Sequence, residues 1–193
     1  MNPWYAKAII LIATIGVLAI RAPHGRRSRI VAVAKSGKGP LEVFLLTIAW
    51  IAFLAPLLWI LTPWLSFADY RLYALPLLAG IVLLALGLWL FYRSHADLGT
   101  NWSVTLEIRE SHRLVTVGVY ERVRHPMYSA FLVYALGQVL VVPNWIAGSS
   151  YAVAMLLLVP LRLGPEEKLM RDRFKGEYDA YVARTKRLIP GVW

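Results

Sequence analysis

Leu114-Val-Thr-Val-Gly-Val-Tyr-Glu-Arg-Val-Arg-His-Pro-Met-Tyr128 separates three apolar tracts upstream from two more downstream. Arg124, His125 and Pro126 stand at the mouth of the next tract, and Tyr128 lies just inside it. Proline suits the first turn of a helix, because the N–H it lacks would have had no intrahelical partner there. The stretch therefore predicts a helix opening at about Pro126. A charged and a titratable side chain beside a membrane entrance are costly unless something polar shares the site. The same residues thus predict a polar pocket of the kind that holds a cofactor.

Composition supports the membrane reading. The chain has 193 residues, 59% hydrophobic and 17% charged, whereas charged residues alone make up about a quarter of an ordinary soluble domain. Several continuous apolar runs approach the ~20 residues that cross a bilayer as a helix. They do not alternate, as the strands of a membrane barrel would. The predicted fold class is all-α, a polytopic membrane protein with five spans: Trp4–Ile20, Leu41–Leu61, Leu72–Tyr92, Met127–Val142 and Trp145–Leu161. The first run could be confused with a signal peptide, but Arg21, Arg26, Arg27 and Arg29 stand where small cleavage-site residues belong. Pro143 and Asn144 alone separate the last two runs, which predicts a tight helical hairpin. Pro165-Glu166-Glu167 has the pattern of a helix start, so a separate amphipathic cytosolic helix is expected from there to about Val182. Residues 1–92 then form an N-terminal three-span unit, and residues 93–193 a catalytic region.

Five spans put the two termini on opposite sides. One side holds the N-terminus, residues 62–71 and residues 143–144, with Lys7 and Arg71 as its basic residues; the other holds the remaining 19 of 21. The positive-inside rule then places the N-terminus outside and the C-terminus in the cytoplasm. This asymmetry accounts for the net charge of +10 without a nucleic-acid partner. The basic 21–40 loop also suits anionic lipid headgroups. There is no cysteine, hence no disulfide or thiolate chemistry. His24, His95, His112 and His125 lack metal-ligand spacing, so no metal site is expected. No Gly-x-Gly-x-x-Gly or P-loop occurs, so any cofactor must sit among the membrane helices and their loops.

Candidate site residues come from the cytoplasmic segments. His125 by itself reads as readily as a helix-start cap as a catalyst. Glu166 and Glu167 by themselves read as acids complementing a helix dipole. Adjacent acids point about 100° apart on a helix, so one can face a pocket while the other meets a cation. Arg162 lies one turn earlier. Tyr120 and Tyr128 are either interfacial aromatics or pocket walls.

The pattern Leu114-Val115-x-x-Gly118-x-Tyr120-x-x-x-Arg124-His125-Pro126-x-Tyr128, followed by Arg162 and Glu166-Glu167, resembles the isoprenylcysteine carboxyl methyltransferases and the related phospholipid methyltransferases. The tail Tyr178-x-x-Tyr181-x-x-x-Thr185-x-Arg187-Leu188-x-Pro190 and the upstream His95-x-Asp97-Leu98-Gly99-x-Asn101-Trp102-Ser103 fit the same pattern. The resemblance spans roughly residues 90–193 and is to compact prokaryotic members. It implies an S-adenosylmethionine-dependent methyltransferase of a prokaryotic inner membrane, acting on a lipophilic acceptor such as a prenylcysteine carboxylate and releasing S-adenosylhomocysteine. It implies that Leu114, Val115, Gly118 and Tyr120 shape the adenosine side, and that His125, Tyr128, Glu166 and Glu167 contact the cofactor. Arg162 would serve the acceptor, with His125 and Glu166 as the other candidate catalytic groups. Gly164-Pro165 directly before the acids departs from the pattern and bears on their register. Phospholipid and thiol acceptors fit the same donor. A membrane sterol-type reductase using NADPH shares Arg-His-Pro-x-Tyr and is the alternative enzyme; a lipid-recruiting scaffold is the non-enzymatic one.

Overall fold

The apolar runs form helices, the arrangement that satisfies every backbone group within one segment when no water is available. The computed structural model describes residues 1–28, 33–36, 39–99, 107–109 and 113–193. In chain order come α1 (Trp4–Ser28), β1 (Val33–Ser36), α2 (Pro40–Leu61), α3 (Ala74–Leu98), β2 (Glu107–Arg109), α4 (Pro126–Val141), α5 (Trp145–Phe174) and α6 (Gly176–Arg184). Among the described residues the fold is helical apart from the short antiparallel β1–β2 ladder, which pairs Val33 with Arg109 and Ser36 with Glu107. Asn101, Trp102, Ser103 and His112 lie outside the described residues.

Among the described residues four helices are long and apolar enough to cross a membrane: Trp4–His24, Pro40–Leu61, Ala74–Leu98 and Trp145–Phe174. Five were expected. The difference is α4, whose 16 residues extend about 24 Å, short of the ~30 Å hydrocarbon core. It nevertheless joins opposite ends of the bundle. The His125 N–H at its start donates to the Arg187 carbonyl, while Pro143 just beyond its end accepts from the Tyr70 N–H.

Three boundaries differ from expectation. Helix α1 runs past Ile20 to Ser28, into residues expected to belong to the basic loop. Helix α3 runs past Tyr92 to Leu98, and its last turns carry Arg93, Ser94, His95 and Asp97. Pro165 does not open a separate helix; it lies inside α5 together with Pro160. Each interior proline removes one backbone hydrogen bond. That loss is offset by the unbroken inward packing of Leu158, Val159, Leu163 and Glu167 along the same rod. The break comes at Lys175, whose φ of 49° ends α5 and begins α6. Glu166 and Glu167 are therefore fixed to the span itself, in register with Arg162.

Helices α3 and α4 pack with almost no side chain between them. A Cβ on Gly87 would meet the Tyr134 backbone N at 2.9 Å, and one on Gly137 would meet the Leu84 backbone N at 2.8 Å. Small residues permit such approach where lipid supplies no hydrophobic drive. Phe53, Phe131, Tyr134 and Tyr151 fill the space between α2, α4 and α5, with Phe53 and Tyr151 edge-to-face at 5.4 Å. At the end holding residues 143–144, Asn144 caps α5 by accepting from the Ile146 and Ala147 N–H groups and donates to Asp69 at 2.7 Å. The predicted hairpin is present. The cluster around His125, Glu166 and Glu167 lies at the other end.

Candidate functional site at the polar end of the bundle

The site is assembled by the C-terminal tail closing on the start of α4. Residues 123–125 run beside 186–187: the Arg124 N–H donates to the Lys186 carbonyl, and the Ser129 hydroxyl donates to the Leu188 carbonyl at 2.7 Å. This places His125, Tyr128, Glu166, Glu167, Arg124 and Arg187 in one hydrogen-bonded cluster.

The two acids have different surroundings, as their angular separation requires. The Glu167 side chain is 6% exposed. Its Oε1 accepts from Arg124 Nη2 at 3.0 Å and from Arg187 Nε at 3.1 Å, and lies 3.3 Å from His125 Nε2; its Oε2 accepts from Arg187 Nη2 at 2.9 Å. Arg124 is held in turn by the Thr185 carbonyl. Glu167 is the hub that ties α5, the α4 entrance and the tail together. Glu166, with 31% of its side chain exposed, accepts from the Tyr128 hydroxyl at 2.5 Å and sits 3.6 Å from His125 Nδ1.

His125 occupies the N-cap position of α4, yet its side chain caps nothing. Its ring stacks on Tyr128 at 5.7 Å and 26°, with a carboxylate at each nitrogen. Burial alone would drive the imidazole toward its neutral form; the Glu166 and Glu167 carboxylates outweigh this and raise its pKa above the ordinary value. The ring is wedged between two carboxylates, which favour its protonated form.

The turn Gly118–Glu121 docks on α3. Gly118 has φ +65°, and a Cβ there would lie 2.2 Å from Asp97 Oδ2, the atom that accepts from the Val119 N–H at 2.9 Å. Only glycine fits that contact. Tyr120 is buried: its hydroxyl donates to the Ser94 carbonyl, and its own carbonyl accepts from the Tyr181 hydroxyl. Burial, then the Glu166 charge, pushes the Tyr120 phenol upward, so Tyr120 sits within electrostatic reach of the acids. Leu114 and Val115 are half-buried upstream of the turn and lie outside the hydrogen-bonded cluster.

Arg162 is 8% exposed and donates through Nη2 to Glu42 Oε1 at 3.1 Å. Its charge reaches Tyr128 and Glu166. Glu42, in the first turn of α2, is a site residue that sequence reasoning passed over, although an ionisable group in an apolar span is a functional signal by default. Arg124 and Arg187 were visible in the motifs without a role. Asp97 had no signal beyond its place in a motif.

The comparisons bear on this cluster. A family model described as "Isoprenylcysteine carboxyl methyltransferase (ICMT) family" matches residues 77–172, which include the Gly118 turn, His125, Tyr128, Arg162 and both acids. Protein-S-isoprenylcysteine O-methyltransferase B of Arabidopsis thaliana is 31% identical over 115 residues, 58% of this chain and 58% of that protein. The Homo sapiens protein-S-isoprenylcysteine O-methyltransferase is 30% identical over 115 residues, 58% of this chain and 40% of that protein. The chain thus spans just over half the length of the first and less of the second. The solved structure of the eukaryotic intramembrane Ras methyltransferase ICMT, without a monobody, aligns over 81% of this chain and 54% of that one, with a TM-score of 0.53 at 23% identity. That likeness extends the shared fold beyond the matched segment.

Proposed function

We propose that this chain, which belongs to the isoprenylcysteine carboxyl methyltransferase family, is an integral membrane methyltransferase that esterifies the carboxylate of a prenylcysteine-type acceptor. The observation that carries the reading is the division of labour between the adjacent acids. Glu167 is saturated by Arg124, Arg187 and His125, whereas Glu166 is held by Tyr128 and His125 with its side chain partly open.

The residues present fit S-adenosylmethionine. Glu166 supplies an anionic acceptor for an ammonium or ribose hydroxyl. The buried Tyr120 and Tyr128, beside the Gly118 turn, supply an aromatic wall, and the Tyr178 hydroxyl is buried with no hydrogen-bond partner among the described residues. When bound, the cofactor supplies a methyl group already activated by its sulfonium, so the protein has to align, desolvate and hold charge. Arg162 suits the acceptor carboxylate, because a guanidinium has five N–H donors and pairs with carboxylates in a fork. Tyr128 and Pro126, both buried, keep water from the α4 entrance.

His125 favours a carboxylate acceptor over an amine or thiol. With a carboxylate at each ring nitrogen, it is poorly placed to take a proton from an acceptor, and a carboxylate has no proton to lose near neutral pH. The acceptor's apolar tail would reach the site from the bilayer through the outward faces of the helices. The polar end would face the cytoplasm, with α4 and its flanks completing a fifth crossing. Calorimetric titration of detergent-purified protein with S-adenosylhomocysteine tests the reading. Binding that Glu166→Gln weakens supports it; no binding to the wild-type protein, or competition by NADPH, overturns it.

A further inference from the structure

Glu42 stands in the first turn of α2, where an acid complements the helix dipole from a solvent-facing position. Here it turns inward instead and is 6% exposed. Its Oε1 accepts from Arg162 Nη2 at 3.1 Å, across the α2–α5 interface. Dipole complementation asks for no such burial, and a buried carboxylate is costly unless it is paired.

The backbone that carries Arg162 is the least self-supporting part of α5. Pro160 and Pro165 bracket it, and their missing N–H groups deprive the Leu156 and Leu161 carbonyls of the usual intrahelical donor. Gly164 adds a residue of low helix propensity, with nothing within 4 Å of a Cβ built on it. A fixed direction for the Arg162 side chain therefore needs a hold from outside α5, and α2 is a firm base for one. Farther along the interface the Ser150 hydroxyl donates to the Ala52 carbonyl at 2.8 Å, and Phe53 meets Tyr151 edge-to-face at 5.4 Å. Those ties lie about 15 Å along α2 from Glu42, so the two helices are clamped at separate levels. Toward the site, Arg162 and Glu166 lie one turn apart on the same face of α5. Glu166 is the acid with 31% of its side chain exposed, and it accepts from the Tyr128 hydroxyl at 2.5 Å.

We infer that Glu42 is a positioning residue, which holds the Arg162 guanidinium in the orientation that meets the acceptor carboxylate and so sets the site's preference for a carboxylate. The inference rests on the role proposed for Arg162 and names what prepares that residue for it. A loose arginine side chain has to be ordered when the acceptor arrives, whereas one already held does not.

The test measures binding to wild-type and variant protein in detergent with S-adenosylhomocysteine present. One probe is a farnesylcysteine analogue with a free carboxylate; the other is the same analogue amidated. Glu42→Asp keeps the charge but is one methylene too short for the 3.1 Å contact. Glu42→Gln keeps the reach and an oxygen that accepts, but not the charge. Glu42→Asp is expected to weaken the carboxylate analogue by about tenfold and Glu42→Gln by about threefold. The amidated analogue and S-adenosylhomocysteine should bind both variants as they bind the wild type. In an Arg162→Met background neither substitution should change carboxylate binding further. Equal weakening of both analogues would make Glu42 a structural brace, and tighter carboxylate binding by Glu42→Gln would make it a competitor for Arg162; either result overturns the inference. A Glu42→Asp that binds like the wild type while Glu42→Gln does not would overturn it too, because charge rather than placement would then decide. Glu42→Gln has the native shape and carries the test if Glu42→Asp does not fold: a loss confined to the carboxylate analogue supports the inference, and no loss overturns it. A wild type that binds the two analogues equally would overturn the carboxylate reading of the site, and this inference with it.

Discussion

Arg162→Met leaves the Glu42 carboxylate in place with only 5% of its side chain exposed. At the observed 3.1 Å and an effective dielectric of about 20, the attraction removed is about 5 kcal/mol. Breaking a buried pair by deleting one member costs about 3–5 kcal/mol, because the remaining charge is uncompensated. Glu42→Gln in the same chain removes that charge, so the double variant should regain most of the loss. A coupling of about 2–3 kcal/mol is expected from the cycle Glu42→Gln, Arg162→Met and both together. Unfolding free energies in mixed micelles, read by tryptophan fluorescence, measure it. Single-variant losses that add within about 0.5 kcal/mol would refute a desolvated pair. The double variant also separates stability from function: it should fold and bind S-adenosylhomocysteine but lose turnover on a carboxylate acceptor. Full turnover in that variant would show that Arg162 only bridges α5 to α2.

Four other expectations follow from the same geometry. Glu166→Gln should weaken S-adenosylhomocysteine by about tenfold with little change in melting temperature, since the Tyr128 hydroxyl keeps an oxygen to donate to. Glu167→Gln should instead lower the unfolding free energy by about 2–4 kcal/mol, and the melting temperature with it, because two guanidiniums lose their anion; calorimetry and thermal melts distinguish the pair. His125 has its folded pKa raised by Glu166 and Glu167 against the opposing effect of burial. Its stabilising contribution is therefore complete below its unfolded pKa of about 6.5 and is lost as pH rises through the folded value. Melting temperatures from pH 6 to 9 should fall for the wild type and lose that slope in His125→Asn; an unchanged slope would remove the imidazolium. Gly87→Val should destabilise the α3–α4 contact by about 1–3 kcal/mol, because its Cβ would meet the Tyr134 backbone at 2.9 Å; a melting curve like that of the wild type would contradict the packing.

The membrane class and the α4–α5 hairpin were legible because each has a local cause, whereas the grouping of His125, Tyr128, Glu166 and Glu167 came only from the family resemblance. Long apolar runs, a Pro-Asn break and a helix-start proline are short-range signals. Adjacent acids must diverge on a helix, so their unequal fates followed from geometry, although which acid meets the cations did not. Pro165 misled because its local pattern matches a helix start, whereas the packing of Leu158, Val159 and Leu163 carries α5 through it. The Glu42–Arg162 pair joins residues far apart in sequence, and no motif connects α2 to α5. The Asp97 contact with the Gly118 turn is likewise a tertiary fact. The shortness of α4 was readable in its 16 residues, but the spacing of apolar runs alone did not weigh it against bilayer thickness.

The most direct test of the proposed chemistry follows tritiated methyl from S-adenosylmethionine into a panel of farnesylcysteine analogues, phospholipids and small thiols, with the protein in vesicles. Base-labile label in the farnesylcysteine fraction, absent when the analogue's carboxylate is amidated, is the predicted result. Label in lipid amines or thiols, or no transfer by protein that binds S-adenosylhomocysteine, would contradict carboxylate methylation.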